Sequence, residues 1–439
     1  MPESVRDLGP ENLDVQPRVV VYLDHTAKWS GGEIALLRTL EALDRRRVTP
    51  VVLVAEEGPF ADRLREIEIE THVLPLSGKA RDVRKDTLGG GALLRHAGAG
   101  AALFRYAFTV AQFARKRGAS ILHCNSLKSD LYGALAGRIA GIPVIWHIRD
   151  HIDPSYLPGP AVRVLRALVR WAPRYVLTNS ESTLEKLFPD PVDRERQRKT
   201  RASVAYDGLA DREFTTPAPI LQKGWKHEVP RIAVVGRFVA WKGQHIFLEA
   251  ASKLLQPGDN ETGSIQAEFV LIGKALFGEE EYEAELKRLA EPLGEQVTFL
   301  GFRSDIPELL RSMDIFVHTS ITPEPFGQVV IEAMAEGIPV IATDGGGVQE
   351  IVEDGISGWL TPMGDADALA TALRTLLEDP VRAHNLACAG HTRVRAAFTA
   401  ARTARTVESV YDDLETRGSV RRPGTLGVAT TDSASRQFE

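Results

Sequence analysis

DIFVHTSITPEPFGQVVIEAMA, residues 314–335, is the stretch on which the reading of the fold turns. It opens on an apolar run, 314–319, that suits a strand buried on both faces. Pro323, Pro325 and Gly327 break that run, and a helix-patterned segment follows. The same order recurs at 231–243, where a strand leads into Gly236-Arg237-Phe238-Val239-Ala240-Trp241-Lys242-Gly243. Working outward, short apolar runs lie at 19–24, 51–54, 72–76, 120–124, 143–148, 175–178 and 203–206. A second set lies at 231–236, 268–273, 297–301, 314–319, 339–343 and 358–361. Helix-patterned segments separate them. Strands alternating with helices predict an α/β fold of parallel sheets built from right-handed βαβ units. Ligands of such sheets bind at the carboxyl ends of the strands.

At 439 residues the chain exceeds one ordinary core, so two doubly wound domains of about 200 residues are expected. The seam falls where periodicity fades and Pro217, Pro219, Gly224 and Pro230 cluster. This gives a first domain over 17–212, a linker over 213–230 and a second domain over 231–395. A last helix, 396–414, is free to pack back on the first domain. Residues 1–16 and the polar tail 415–439 read as unstructured. The net charge of −6 argues against a nucleic-acid partner. Cys124 and Cys388 stand far apart, which fits a reducing compartment. The first residues lack an apolar core after a positive start, and 97–113 is interrupted by Arg105. A cytoplasmic protein without a spanning helix is expected.

Two segments are markedly basic. Residues 84–118 hold Arg84, Lys85, Arg95, Arg105, Arg115, Lys116 and Arg117 against Asp86, interleaved with Leu and Phe. Residues 163–174 place Arg163, Arg166, Arg170 and Arg174 at helical spacing. Solvated helices with a core-facing stripe are the favoured reading. Peripheral contact with an anionic membrane at the inner face stays open as the other.

Glu324 lies in the Pro/Gly loop and Glu332 about two turns into the helix. Each carboxylate can accept two sugar hydroxyls, and backbone N–H groups at such a helix start suit anions and hydroxyls. Arg237 offers a planar fork to phosphate and Lys242 a point charge. Across one strand-to-helix loop both can converge on a diphosphate. Near the first strand, Gly31 and Gly32 permit close backbone approach to a ligand, and Ser30 with Glu33 makes a capping box. The acidic pair Asp365 and Asp367 opens a helix, so Asp365 reads as its N-cap rather than a metal ligand.

Together these signals resemble family 4 of the retaining glycosyltransferases, whose two Rossmann-like domains face a central cleft in the architecture called GT-B. The resemblance spans roughly 19–414 and is most specific in the second half. It rests on Glu324 and Glu332, on Gly236-Arg237 with Lys242-Gly243, and on Gly345-Gly346-Gly347 with Glu350. Phe299-Leu300-Gly301-Phe302 before Asp305, and Asp354-Gly355 with Gly358, add to it. The resemblance implies a donor-binding second domain and an acceptor-binding first domain. Glu324 would hold the donor sugar, Glu332 the ribose, and Arg237 and Lys242 the leaving diphosphate. Gly31 and Gly32 would approach that diphosphate. Amides of Phe326, Gly327, Gln328 and Val329 would contact sugar and phosphate, and backbone near Phe302 and Arg303 the base. A UDP- or GDP-sugar donor, a carbohydrate or lipid-linked acceptor, no metal and a front-face retaining mechanism follow from the same likeness.

Many relatives carry a His-Asp pair after the 143–148 strand. Here the stretch reads Trp146-His147-Ile148-Arg149-Asp150-His151, with Arg149 at the family's His position. The acceptor-side role therefore falls on His147, Arg149 and Asp150 collectively. Tyr206-Asp207-Gly208 is expected at the cleft or the hinge, and Asn179 and Ser180 at the cleft. Two other readings of the chain stay open: a sugar-nucleotide epimerase of the same architecture, and a non-catalytic sugar-nucleotide-binding or membrane scaffold protein.

Overall fold

The computed structural model describes residues 16–76, 97–214, 224–255, 265–276, 278–416 and 418. The expectations for 1–15, 84–96, 215–223 and 419–439 fall outside the described residues. The first sheet comprises β1 (Arg18–Asp24), β2 (Val48–Val54), β3 (Glu70–Val73), β4 (Ile121–Cys124), β5 (Val144–Ile148), β6 (Tyr175–Thr178) and β7 (Ala202–Val204). The second comprises β8 (Arg231–Val235), β9 (Glu268–Ile272), β10 (Val297–Gly301), β11 (Ile315–His318), β12 (Val340–Thr343) and β13 (Trp359–Thr361). Every pairing between these strands is parallel.

The strand orders are β3-β2-β1-β4-β5-β6-β7 and β10-β9-β8-β11-β12-β13. Each reverses direction once, between β1 and β4 in the first sheet and between β8 and β11 in the second. Loops leaving neighbouring strands at such a reversal diverge to opposite faces and leave a crevice at the carboxyl edge. The segments leaving β1, β4, β8 and β11 are the ones that carry Gly31, at the start of its helix, Asn125, Lys242 and Glu324.

In the first domain, helices Ala97–Lys116, Leu127–Ala140 and Gly159–Leu168 cover one face of the sheet. Helices Gly31–Ala42, Pro59–Glu66 and Ala400–Thr416 cover the other. The last of these returns from the second domain. The chain leaves the first domain past Leu209, whose N–H donates to the Phe398 carbonyl at 3.0 Å, and Ala400 N–H donates back to Leu209 at 2.8 Å. A Cβ on Gly208 would lie 2.2 Å from the Thr399 carbonyl carbon, so the two crossing strands touch only because that residue is glycine. This pairing straightens residues 398–399, and the final helix starts at Ala400 instead of the expected 396. It is then held by the Tyr411 hydroxyl against Tyr22 at 2.6 Å and His123 Nδ1 at 2.7 Å, and by Asp412 against Arg18 at 2.7 Å.

Tyr411 is fully buried in this packing. Tyr411→Ala is expected to lower stability by about 3–5 kcal/mol, the usual penalty for emptying an aromatic site. Chemical denaturation checks it, and a loss below about 1 kcal/mol would show that the returning helix does not hold the first sheet.

Candidate active site

The β11 strand ends at His318, Thr319 and Ser320 follow it, and the chain then turns through the loop that carries Glu324. That carboxylate is buried. Its Oε1 accepts from Lys242 Nζ at 2.6 Å and from His318 Nε2 at 2.8 Å, and the Ser320 hydroxyl donates to the same atom. Burial pushes its pKa up, but Lys242 and His318 outweigh burial and hold the carboxyl well below its ordinary range. His318 Nδ1 in turn meets the Thr343 hydroxyl at 3.1 Å. The glycine run fixes the loop's backbone. Gly347 N–H donates to the Glu324 carbonyl at 2.8 Å, and a Cβ on Gly346, where φ is +66°, would lie 2.2 Å from that oxygen.

Lys242 reaches Glu324 because its own loop is tied to the same strand end. Ile321 N–H donates to Trp241 O at 2.9 Å, and the Thr319 hydroxyl donates to Lys242 O at 2.9 Å. Gly243 closes the turn at φ +68°, with the Thr319 carbonyl 2.0 Å from where its Cβ would be. Arg237 lies in the same loop, its Nε 3.8 Å from Glu279, and Gln244 supports its carbonyl at 2.9 Å. Phe302 is exposed beyond β10, with Lys274 Nζ 5.4 Å from its ring centre, and Arg303 pairs with Asp305 at 2.8 Å. Gly327 starts the Gln328–Ala335 helix at φ +114°. Phe326 is buried against Tyr206 and Phe398, and Val329 is partly buried. Glu332 sits little more than one turn into the helix, because the helix begins only at Gln328.

From the first domain, the glycine loop meets this helix directly. Gln328 Nε2 donates to Gly31 O at 2.7 Å and lies 3.3 Å from Asp207. Arg149 passes beneath Gly32, its Cδ 3.9 Å from where a Cβ would be. Its guanidinium pairs with Asp207 and donates to Asn125 Oδ1 at 3.0 Å. His147 is fully buried below Arg149, with Nδ1 3.2 Å from His123 Nε2. Burial, then the Arg149 charge, pushes both imidazoles toward the neutral form, His123 down to about 3. Arg149 thus reaches the glycine loop and His147 does not. Asp150 lies against the Tyr156 hydroxyl.

Charged side chains cross the junction. Arg38 donates to Glu332 at 2.9 Å and to Glu213 at 2.9 Å. Burial raises the Glu332 carboxyl above its ordinary range despite Arg38. Glu350 accepts from the backbone N–H groups of Glu181 and Ser182, both at 2.8 Å, and so caps a helix of the opposite domain. The Ser180 hydroxyl donates to the Pro325 carbonyl. Asp365 is an N-cap, accepting from Ala368 N–H at 2.8 Å, and Asp367 pairs with Lys253 at 2.7 Å.

The sequence did not point to His318, Ser320, Arg38, Asn125 or Lys274. Placement at a strand's carboxyl end was a usable signal for His318, Asn125 and Lys274. No local pattern marks Arg38, whose partner Glu332 is 294 residues away. Ser30 occupies the expected N-cap position, but its hydroxyl donates to the Glu33 carboxylate and does not accept a backbone N–H, so the capping box is not formed. Burial, with Asp24 adding, pushes Glu33 up from 4.5 to about 7. A raised carboxyl pKa means the folded chain binds more protons than the unfolded one, so stability falls as pH rises through that window. Melts from pH 4.5 to 7 should show this decline, and Glu33→Gln should flatten it; an unchanged slope would remove Glu33 as its source.

The family described as glycosyl transferases group 1 matches residues 220–393, and the glycosyl transferase 4-like domain matches residues 30–198. The lipopolysaccharide core biosynthesis mannosyltransferase LpsB of Rhizobium meliloti (strain 1021) is 32% identical over 290 residues, covering 62% of this chain and 79% of LpsB. The lipopolysaccharide core biosynthesis glycosyltransferase LpsE of the same organism is 32% identical over 174 residues, or 39% of this chain. The match spans about half of LpsE, 46% of its length. The crystal structure of Anabaena Alr3699/HepE in complex with UDP and glucose aligns with a TM-score of 0.73 at 27% identity, over 90% of this chain and 99% of that one. With two parallel-sheet domains meeting at their carboxyl edges, the chain belongs to the glycosyl transferases group 1 family and has the GT-B fold of family 4-type glycosyltransferases.

Proposed function

We propose that the chain is a retaining glycosyltransferase that moves a hexose from a UDP- or GDP-sugar to an acceptor hydroxyl, without a metal ion. The observation that carries this reading is the buried Lys242–Glu324 pair at the carboxyl edge of the second sheet. A hexose presents hydroxyls to Glu324, whose charge His318 and Ser320 continue to satisfy. Lys242 then turns with Arg237 toward the diphosphate. The bond from the anomeric carbon to the phosphate oxygen breaks, the acceptor oxygen bonds to that carbon on the same face, and the acceptor's proton passes to the departing phosphate. Fixed cations aimed at the growing charge stabilise it in the transition state.

The remaining groups support the same pose. Ribose hydroxyls replace Arg38 on Glu332, and amides of Phe326, Gly327, Gln328 and Val329 meet sugar and phosphate. Gly31 and Gly32 approach the diphosphate from the other side. Phe302, Arg303 and Lys274 border the base. Arg149 and Asp150 face the acceptor, a carbohydrate or lipid-linked hydroxyl, and His147 acts through Arg149. HepE was solved with UDP and glucose, which makes a UDP-sugar the first donor to test. The Asp365-x-Asp367 carboxylates are engaged in capping and in an ion pair, which supports the metal-independent reading.

Thermal shift with UDP, GDP and ADP, with and without EDTA, tests the donor site. One diphosphate is expected to raise the melting temperature equally in both conditions, and a shift lost in EDTA would overturn the metal-independent mechanism. Glu324→Gln and Lys242→Ala are each expected to lower turnover by about 10²–10³-fold in chains that still melt cooperatively. Turnover at the level of the parent chain in both variants would overturn the site.

A further inference from the structure

The two helical faces of the first domain differ in character. On one, helices Gly31–Ala42, Pro59–Glu66 and Ala400–Thr416 carry both signs of charge, paired as in Arg63 with Glu66 and Arg47 with Glu408. On the other, the sole carboxylate within helices Ala97–Lys116, Leu127–Ala140 and Gly159–Leu168 is Asp130, which is buried. Arg105, Arg115, Lys116, Arg138, Arg163 and Arg174 are exposed on or just beyond these three helices. At the margins Arg117 pairs with Glu70 and Arg170 with Asp193, leaving a cationic excess on a chain whose net charge is −6.

The same surface exposes large apolar side chains. Phe104 and Phe108 lie one turn apart, and Leu131, Val164 and Trp171 join them, with Val164 58% and Trp171 57% exposed. The three helices share one core, so their outer sides form one surface. Arg115 donates to the Ala140 carbonyl at 3.2 Å, and the Arg138 guanidinium lies 4.7 Å from the Trp171 ring centre. Arg138, Trp171, Arg174 and Arg201 line a recess there, with Asp413 at its wall.

We propose that this face docks on an anionic lipid bilayer. Phe104, Phe108, Leu131, Val164 and Trp171 enter the boundary between headgroups and acyl chains, and the arginines and Lys116 meet lipid phosphates. Exposed aromatic and aliphatic groups among cations, with no exposed acid on the three helices themselves and Asp413 exposed at the edge of the recess, match the two attractions that hold a peripheral protein at an anionic surface. A second copy of the chain matches them less well, because a two-fold contact would set the same cations against each other. Among the described residues no helix is long and apolar enough to cross a membrane, so the contact lies in the plane of the interface. The proposal stands on this surface and not on the reaction proposed above.

Vesicle flotation of the full chain tests it, with phosphatidylcholine alone and with added phosphatidylglycerol. Binding is expected with the anionic vesicles only, and to weaken at least about tenfold between ~0.1 M and ~1 M salt. Phe104→Ser with Phe108→Ser, and separately Arg105→Glu with Arg163→Glu, should each weaken binding at least about tenfold while leaving the melting temperature unchanged. The proposal is overturned if the parent chain does not float, if it floats equally with neutral lipid, or if both variants float like the parent. Sedimentation that shows a dimer broken by these substitutions, without lipid binding, would give the face to a second copy.

Discussion

A single buried carboxylate, that of Glu324, sets the conditions that the second domain meets. A charge taken out of water is tolerated only when opposite charge and hydrogen bonds replace its hydration. Here Lys242, His318 and Ser320 converge on one oxygen. They come from the loop after β8 and from the end of β11, neighbours in the sheet. Satisfying one charge therefore fixes two loops against each other. The glycines follow from the same requirement. With a side chain at Gly243 or Gly346, the backbone could not come close enough for the lysine and the carboxylate to meet.

The junction between the domains is built on another principle. Beside the ring contact of Tyr206 with Phe326, it carries polar contacts: Arg38 with Glu332, Gln328 with Gly31, Glu350 on a helix N-terminus and Ser180 with Pro325. Contacts of this kind exchange readily for water or for ligand hydroxyls, unlike a sealed apolar interface. The carboxylates and cations that the proposed donor would engage are already paired with protein groups of opposite charge. On that reading, binding substitutes one set of partners for another, and little new charge is buried uncompensated.

Most strands were legible because both faces of each sheet are covered and they read as almost unbroken apolar runs, whereas the edge strand β3, Glu-Thr-His-Val, is only part-buried and starts two residues before the run at 72–76. The loops were legible as Pro/Gly breaks at strand ends. The side-chain partners were not, because they depend on which loops the topology brings together. His147 in β5 and Arg149 just past its end have the same side-chain parity, and sequence alone left open which of them faces the cleft. The structure shows Arg149 passing beneath Gly32 and His147 buried against His123. Ser30 and Glu33 have the spacing of a capping box, yet the Ser30 hydroxyl donates to the Glu33 carboxylate, and burial, then the Asp24 charge, raises that carboxyl against this bond. Local pattern identified the positions, and the surrounding charge decided the bonds.

The same limit explains the basic surface of the first domain. In the sequence, 84–118 and 163–174 are two separate stripes, and each alone is an ordinary solvated helix. Folding puts the described part of the first beside Leu127–Ala140 and sets Trp171 under Arg138, a residue outside both stripes. Within the second stripe, Arg166 turns inward to the carbonyls of Ile152 and Lys186. Helical spacing thus overstated one arginine and missed Arg138 and Leu131. A surface is a property of neighbouring elements, and its charge and apolar exposure can be judged only once the layer that forms it is assembled.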